Sequence, residues 1–252
     1  MRVALIIEYS GSAFHGWQSQ QGLRTVQTEV EQALSHIAAH PIKVIAAGRT
    51  DAGVHASHQV IHFDTLAERS ARDWMVGGNH YLPKDISIRS THFMPEDFHA
   101  RFSAIARSYE YWIDTHCARP ALRYQQVTWM PRQLNVVAMH DAAQQLIGVH
   151  DFSAFRASDC QAKNPVRTVT HLEIKKRDRF IVLRISANAF LHHMVRNIVG
   201  SLLPIGSGLA PKEALLHMLH SKQRAQAGMT APAEGLYLSR VDYPDIFQQF
   251  LL

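Results

Sequence analysis

The sequence has few of the residues on which disulfide-stapled, fibrous and membrane proteins depend. Its 252 residues include two cysteines, Cys117 and Cys160, which excludes a disulfide framework and a clustered zinc motif. The 13 glycines and 10 prolines are too few for a fibrous or disordered chain. No apolar run reaches the length of a transmembrane helix, and Glu8 interrupts the short N-terminal run. These absences favour a globular cytoplasmic protein with no membrane segment.

Two common enzyme signatures are also missing. There is no G-x-S-x-G segment of the kind that carries the nucleophile of many serine hydrolases. There is no Walker A loop, and the short run GSG at 206–208 follows a helical pattern instead of opening a helix. The sequence therefore gives no support to serine hydrolase chemistry or to a nucleotide cofactor.

The charge balance favours a polyanionic partner without proving one. The net charge is +5, and 17 histidines add positive charge in mild acid. The run KKRDR at 175–179 is one candidate for a phosphate contact. The same run suits an exposed hairpin tip that keeps the protein in solution, so both interpretations stay open.

Hydrophobic periodicity predicts an α+β fold. The predicted helices begin at the N-caps Thr25, Ser70 and Asn135, cover 190–205, and include a short one after Pro211. The predicted strands lie at 3–9, 42–48, 58–65, 85–94, 106–115 and 235–243, with a hairpin over 168–188. A connection rich in arginine and proline near 117–127 predicts two subdomains, 1–115 and 116–252.

The stretch AAGRTDAGVHASHQV, residues 46–60, presents an acid at a strand end. Gly48 and Gly53 allow a tight loop, and Arg49 and Asp51 are carried on it. A carboxylate near a cation stays ionised and can serve as a nucleophile or a base. Asp and Gly are also ordinary turn residues, so the motif alone leaves a structural role open.

Two further segments carry residues that suit a nucleic-acid site. Arg107, Tyr109 and Tyr111 alternate along one strand face, which suits stacking on a base beside phosphates or a half-buried cross-strand pair. Arg196 is predicted on the polar flank of the 190–205 helix, beside His192 and His193. It is a candidate partner for Asp51, or a solvated arginine on an amphipathic helix.

The three histidines of the 55–62 segment are candidate metal ligands. His55, His58 and His62 lie within eight residues, but the last two fall in a predicted strand and the first in the turn. Convergence on one ion is therefore not favoured. No metal is expected.

Taken together, these segments resemble the tRNA pseudouridine synthase A (TruA) family over nearly the whole chain. Residues 46–60 are similar to the family's catalytic motif without a gap. Six other segments match the family in order: YSGSAFHGWQSQQGLRTVQTEVEQAL, NHYLPKDI, DFHARFSAIARSYEYWI, GVHDFSAFRA, ANAFLHHMVRNIVGSLLPIG and TAPAEGLYLSRVDY. One departure is His80–Tyr81, where the family more often has smaller residues.

The resemblance implies a fold and an activity. The fold would be α+β, the pseudouridine synthase fold, with two ferredoxin-like subdomains joined through a continuous antiparallel sheet, flanking helices and a central active-site cleft. The activity would be that of an isomerase converting uridine to pseudouridine at nucleotides 38, 39 and 40 of the tRNA anticodon stem-loop. No cofactor or metal is implied, and the partners would be tRNA and a second copy in a homodimer.

The resemblance also assigns roles to individual residues. Asp51 would attack the target nucleotide, at either the base or the sugar. Tyr109 would pack on the base and accept a proton from carbon 5, and Arg196 would pair with the aspartate. Arg49 would hold the flipped nucleotide, with His55 and Arg107 as further substrate-binding residues. Extrusion of a stacked base costs a few kcal/mol and requires groups that fill the gap.

Two alternatives differ from this enzyme in class. One is a catalytically silent RNA-binding protein, which would gain little from a desolvated carboxylate facing RNA. The other is a metal-dependent hydrolase that uses the histidines of the 55–62 segment, which metal analysis of the purified protein would test.

Overall fold

The N-terminal strand β1 (Arg2–Tyr9) lies between two antiparallel neighbours, β3 (His55–Asp64) and β4 (Ile86–Met94). This is seen in the computed structural model of the protein, which describes residues 1–158 and 160–251. All five residues of its apolar run VALII are buried, so both faces of this central strand are covered.

Two capped helices alternate with these strands along the chain. Helix α1 (Val26–Ala38) begins at Thr25, whose side chain accepts a hydrogen bond from the Thr28 N–H. Helix α2 (Ala71–Tyr81) begins with a reciprocal capping box between Ser70 and Asp73. Both predicted N-caps are confirmed.

Glycine does not interrupt α2, because the helix packs closely on the sheet. A Cβ at Gly78 would meet the terminal Cδ1 atom of Ile88 in β4, so a larger residue there would require this side chain to move. Glycine at this position therefore suits the packing, although it lowers intrinsic helix propensity.

The strand predicted at 42–48 is shorter than expected. Only β2 (Ile45–Ala46) pairs, antiparallel to β3. The N–H groups of Ile42 and Val44 instead donate to Ser35 and Glu31 of α1. Side-chain acceptors on the helix have replaced the strand ladder at these positions.

The elements β1, α1, β2, β3, α2 and β4 follow the β-α-β-β-α-β order, and the strands are arranged β4-β1-β3-β2. This is a ferredoxin-like plan. Strand β10 (Leu236–Asp242) adds to it from the C-terminus, where Tyr237 and Leu238 pair in parallel with His55 and Ala56. Helix α6 (Asp245–Gln248) follows.

The chain divides into two compact units. The first unit comprises Met1–Arg107 and Tyr237–Leu252, and the second comprises Ser108–Leu236. The C-terminal segment belongs to the first unit because β10 pairs with β3. The division into functional halves between residues 115 and 116 stays a prediction.

In the second unit the strand order is β5-β9-β8-β7. The bounds are β5 (Ala106–Asp114), β7 (Gly148–Asp151), β8 (Val166–Arg177) and β9 (Phe180–Ala187), with β6 (Thr128–Trp129) parallel to β5. The first two residues of β5 belong to the first unit. The predicted hairpin is confirmed as β8–β9, and Asp178 adopts a φ of 55° in its turn.

Three helices complete the second unit: α3 (Val136–Gln144), α4 (Met194–Gly206) and α5 (Ala214–Ser221). Asn135 caps α3 as predicted, accepting from the Ala138 N–H. The expected helical start at residue 190 was wrong, because His193 adopts a left-handed φ of 60° and α4 begins only at Met194.

The two units together contain helices and largely antiparallel strands, which confirms the predicted α+β class. Across the described ranges 1–158 and 160–251, no helix combines the length and the apolar character needed to cross a membrane.

Candidate functional site

The turn at residues 48–54, between β2 and β3 of the first unit, carries Arg49, Thr50 and Asp51. The Tyr9 hydroxyl of β1 lies 2.8 Å from Thr50 Oγ1, and both side chains are buried. Burial raises the pKa of Tyr9 to about 12, so its hydroxyl stays protonated and available for this bond at neutral pH. The centre of the turn is thus anchored to the central strand.

A loop formed by residues 10–17 covers the same turn. The Trp17 N–H donates to the Thr50 carbonyl over 3.0 Å, and the Val54 N–H closes the turn on the Asp51 carbonyl over 3.1 Å. Gly16 adopts a φ of +90°, and a Cβ there would lie 2.7 Å from the Thr50 carbonyl oxygen. The loop can approach the turn this closely only because residue 16 is glycine.

The motif predicts the conformational demand at Gly48 and Gly53. Gly53 has a φ of +78°, as such a role requires. The two glycines of the covering loop, Gly11 and Gly16, were not predicted, although a Cβ at Gly11 would overlap the Val54 carbonyl oxygen. The only sequence signal was the glycine spacing in YSGSAFHGW, which does not reveal what the loop packs against.

Two side chains hold the backbone at the start of the turn. Gln59 is fully buried in β3, donates to the Gly48 carbonyl over 2.6 Å and accepts from its N–H. The Arg107 guanidinium donates to the carbonyl oxygens of Ala47, Ala104 and Arg101 at 3.1, 3.0 and 2.6 Å. Arg107 therefore fixes the backbone beside the turn. Direct contact between Arg107 and substrate stays a prediction.

Arg49 is exposed and Asp51 is half-buried, whereas Thr50 between them points into the fold. Because the turn is anchored by side chains and backbone from three segments, it presents Asp51 on a rigid support. A carboxylate held in this way can act as a nucleophile or a general base.

The predicted substrate residue His55 lies at the start of β3 and is buried. Its Nδ1 accepts a hydrogen bond of 3.0 Å from the Gly11 N–H, and its ring stacks on Tyr237 at a centroid distance of 4.6 Å. His55 thereby connects the covering loop to β3 and β10. Contact between His55 and substrate stays a prediction.

His62, another of the three histidines of the 55–62 segment, also accepts a hydrogen bond from a backbone N–H. Its Nδ1 accepts from the Ala100 N–H over 3.1 Å, and its side chain is buried. Burial is the main reason that its pKa falls to about 4, with a smaller contribution from Arg2. These contacts give His55 and His62 structural roles.

In the second unit, Tyr109 lies on the buried face of β5. Its ring is 9% exposed and meets Phe190 edge-to-face at 4.9 Å. Tyr111 shares the face, as predicted, and its hydroxyl lies between Thr128 Oγ1 and the Pro232 carbonyl at 2.6 and 2.8 Å. Burial raises the pKa of Tyr111. Of the two tyrosines, Tyr109 is the more exposed.

Arg196 lies in the first turn of α4, and it is tied to a neighbouring segment. Its Nε donates to the Ala231 carbonyl over 2.8 Å, while the Ala231 N–H donates to the Arg196 carbonyl. Arg196 is half-buried, as are His192 and His193 just before the helix, whereas the next residue, Asn197, is fully buried. Arg196 thus sits where α4 packs against residues 228–232.

The sequence did not predict a structural role for Asn197. Its Oδ1 accepts from Thr230 Oγ1 and Arg224 at 2.7 and 3.1 Å, and its Nδ2 donates to the Phe155 carbonyl at 2.7 Å. An asparagine inside an apolar helix pattern gives a weak signal, since its partners are distant in sequence.

The first unit holds Arg49, Asp51, His55 and Arg107, and these residues surround or support one turn. Tyr109 and Arg196 belong to the second unit. The expected pairing of Arg196 with Asp51 joins residues of different units and stays a prediction.

Comparison with known proteins gives consistent matches over nearly the whole chain. The family model described as tRNA pseudouridine synthase matches residues 5–103 and 142–244. The tRNA pseudouridine synthase A of Nitrosococcus oceani is 54% identical over 247 residues, covering 98% of this chain and 95% of that protein. The protein of the same name from Pseudomonas aeruginosa is 52% identical over 98% of this chain and 87% of its own length.

A solved chain of a Cbf5–Nop10–Gar1 complex gives a much weaker likeness, with a TM-score of 0.36 and 10% identity over 94% of this chain and 58% of that one. The family model and the close relatives cover both units, including the 48–54 turn and the start of α4. This chain belongs to the tRNA pseudouridine synthase family, whose members are isomerases.

Proposed function

We propose that this protein isomerises uridine to pseudouridine at nucleotides 38, 39 and 40 in the anticodon stem-loop of tRNA, with Asp51 as the nucleophile. The observation that carries the proposal is the anchored 48–54 turn. Tyr9 holds the Thr50 side chain, and Gln59 and the covering loop hold the backbone of the turn, while Asp51 is left half-buried. A structural turn would not require this degree of support.

The reaction balances without an added reagent. The Asp51 carboxylate adds to the target nucleotide at the base or the sugar, and the bond between N1 and C1′ breaks. The uracil turns, a new bond forms between C5 and C1′, the proton on C5 leaves, and N1, which has lost its bond to the sugar, takes up a proton. Release of the aspartate then gives an isomer of the starting uridine, and no cofactor or metal enters the balance.

The remaining site residues act around this step. Tyr109 packs on the target base and accepts the C5 proton, and Arg196 keeps the Asp51 carboxylate ionised. Arg49, which is exposed beside Asp51, holds the flipped nucleotide out of its stem. His55 and Arg107 contribute to substrate binding. Their hydrogen bonds to the backbone beside the turn support this part of the proposal.

The partners follow from the same proposal. The substrate is tRNA, and the active form is a homodimer in the cytoplasm that binds tRNA across both subunits. The positive net charge favours such binding through phosphate contacts, which weaken as salt rises.

Replacement of the nucleophile tests the proposal directly. Asp51→Asn removes the negative charge with little change in shape, so we expect product to fall by at least about a thousandfold while tRNA binding is largely retained. Pseudouridine mapping of bulk tRNA after incubation measures the product at each position. Asp141→Asn, the same change at an exposed residue of α3, is the control.

Product formation by Asp51→Asn at the wild-type rate would exclude Asp51 as the nucleophile. Tight tRNA binding without product in either the wild type or the variants would favour the silent RNA-binding alternative. Product confined to tRNA positions other than 38–40 would retain the chemistry and reject the proposed target.

A second pair of variants separates the two roles of Tyr109. Tyr109→Phe keeps the ring and its packing on Phe190 but removes the hydroxyl. If the hydroxyl accepts the C5 proton, kcat falls on the order of a hundredfold or more and KM stays close to that of the wild type. Equal activity of Tyr109→Phe and wild type, with loss in Tyr109→Leu, would leave only the packing role.

A further inference from the structure

Three arginines of the second unit lie over two aromatic rings. The Arg123 guanidinium carbon is 4.9 Å from the ring centre of Phe180 and 5.7 Å from that of Trp112. Arg177 lies 5.7 Å from the Trp112 ring and Arg179 lies 5.0 Å from the Phe180 ring. We call these five residues the arginine–aromatic cluster.

The rings form a fixed platform. Trp112 and Phe180 meet edge-to-face at 5.8 Å, and Phe180 is buried together with Val127 and Val182. The Trp112 indole N–H donates to Glu110 over 3.0 Å. Since both rings lie on paired strands, arginines stacked on them have less conformational freedom than arginines in open solvent.

The positive charge of the cluster is only partly balanced. Within residues 1–158 and 160–251, neither Arg123 nor Arg177 forms an ion pair, and both are exposed. Arg179 pairs with the buried carboxylate of Asp114 at 3.3 Å. The exposed Lys176 adds charge beside Arg177 in the hairpin.

The neighbouring loop at 117–126 presents another stacked pair. Arg119 lies 5.3 Å from the ring centre of Tyr124, which is itself exposed. Arg123 belongs to this loop, so its contact with Phe180 attaches the loop to the hairpin base. The loop therefore carries two exposed arginines, Arg119 and Arg123, and the exposed ring of Tyr124.

Stacked arginines are well suited to phosphate. The ring covers one face of the guanidinium, and the N–H groups at its edge stay available for bidentate bonds to phosphate oxygens. We propose that the arginine–aromatic cluster binds backbone phosphates of an RNA stem and is a docking surface built from the second unit alone. The identity of the RNA as tRNA rests on the proposed function.

The test is a double variant, Arg123→Ala with Arg177→Ala, assayed for tRNA binding over a range of salt concentrations. The slope of log Kobs against log salt is negative, and each lost phosphate contact reduces its magnitude by about 0.9. We therefore expect the magnitude of the slope to decrease by about two in the double variant. The Kd at low salt should rise on the order of tenfold or more. The kcat at saturating tRNA should stay unchanged.

Arg69→Ala with Arg72→Ala is the matched control, because it removes two exposed arginines at the start of α2 in the first unit. The conservative pair Arg123→Lys with Arg177→Lys keeps the charge. It should restore most of the salt slope but only part of the affinity. Thermal unfolding of each variant checks that the hairpin still folds.

Equal salt slopes in the cluster variant and the control would overturn the proposal, as would a higher Kd with an unchanged slope. Weaker binding to anionic lipid vesicles with unchanged tRNA binding would assign the surface to a membrane and also overturn it. Binding is measured without turnover, so the result is independent of Asp51. A wild-type rate in Asp51→Asn with a reduced slope in the cluster variant would reject the nucleophile and support the docking surface.

Discussion

At the scale of single residues, the structure separates the groups that act from the groups that support them. Asp51 and Arg49 lie on the open side of the turn, whereas Thr50 between them bonds to Tyr9 in the interior. Gly16 contributes by having no side chain, since a Cβ at this position would lie too close to the Thr50 carbonyl oxygen. The precision of the turn therefore depends on residues that would never touch a substrate.

Two glycine variants measure this support. Gly16→Ala introduces a left-handed alanine and a contact with the Thr50 backbone, whereas Gly22→Ala introduces only the strain, because nothing lies within 4 Å of its Cβ. Strain at such a φ costs roughly 1 kcal/mol, so Gly16→Ala should lose clearly more stability than Gly22→Ala. Urea denaturation gives both free energies of unfolding. Equal losses would contradict the close-approach explanation.

At the scale of elements, α4 is held to residues 228–232 by a buried polar network. Asn197 contacts Thr230, Arg224 and Phe155, and the Ser201 hydroxyl donates to the Asn197 carbonyl and accepts from the Gly228 N–H. A Cβ at Gly200 would overlap the carbonyl of Met229, so the backbones lie in direct contact. The first turn of α4, which carries Arg196, is thereby positioned by the network.

Removal of Asn197 should destabilise this packing more than removal of an exposed asparagine. Asn197→Ala leaves buried polar partners without their bonds, at a cost of about 2–4 kcal/mol in the free energy of unfolding. Asn79→Ala also breaks two bonds, both to Ile88, but Asn79 is exposed and water can replace them. Chemical denaturation of both variants provides the comparison. A larger loss for Asn79→Ala would refute the buried-network account.

At the scale of the whole molecule, several histidines are kept neutral by the fold. Burial is the largest cause that lowers the pKa values of His58, His62, His92 and His99 below 6.5. The unfolded chain then binds more protons than the folded chain as pH falls through 6.5, so stability falls with pH. For His62 the loss extends down to about pH 4, where the folded state also protonates.

The pH dependence can be assigned to His62 by a single variant. His62→Gln retains a side chain that can accept from the Ala100 N–H but removes the titrating group. The dependence of unfolding free energy on pH between 4.5 and 6.5 should flatten by at most about 1.4 kcal/mol per pH unit. His220→Gln, the same change at an exposed residue of α5, is the control. An unchanged slope in His62→Gln would refute the assignment.

The predicted elements were accurate wherever the signal was local. The caps at Thr25, Ser70 and Asn135 bond within three residues of themselves, so the sequence contains both partners. The β8–β9 hairpin likewise depends on its own turn. The strand predicted at 42–48 was too long, because side chains of α1 bind part of its backbone. The predicted start of α4 was too early, because the left-handed His193 overrides local propensity.

By itself, the sequence determined the α+β class, most helix and strand positions, and the motif that places Asp51 in a turn after β2. Only the tertiary structure decided which residues hold that turn and which hold the start of α4, because Tyr9 and Thr50 are 41 residues apart and Asn197 and Phe155 are 42 apart. It also decided that β10 joins the first unit. Local hydrogen bonds join residues that are close in sequence, so short sequence patterns predict them. Contacts between distant segments depend on burial and shape, which no short pattern records.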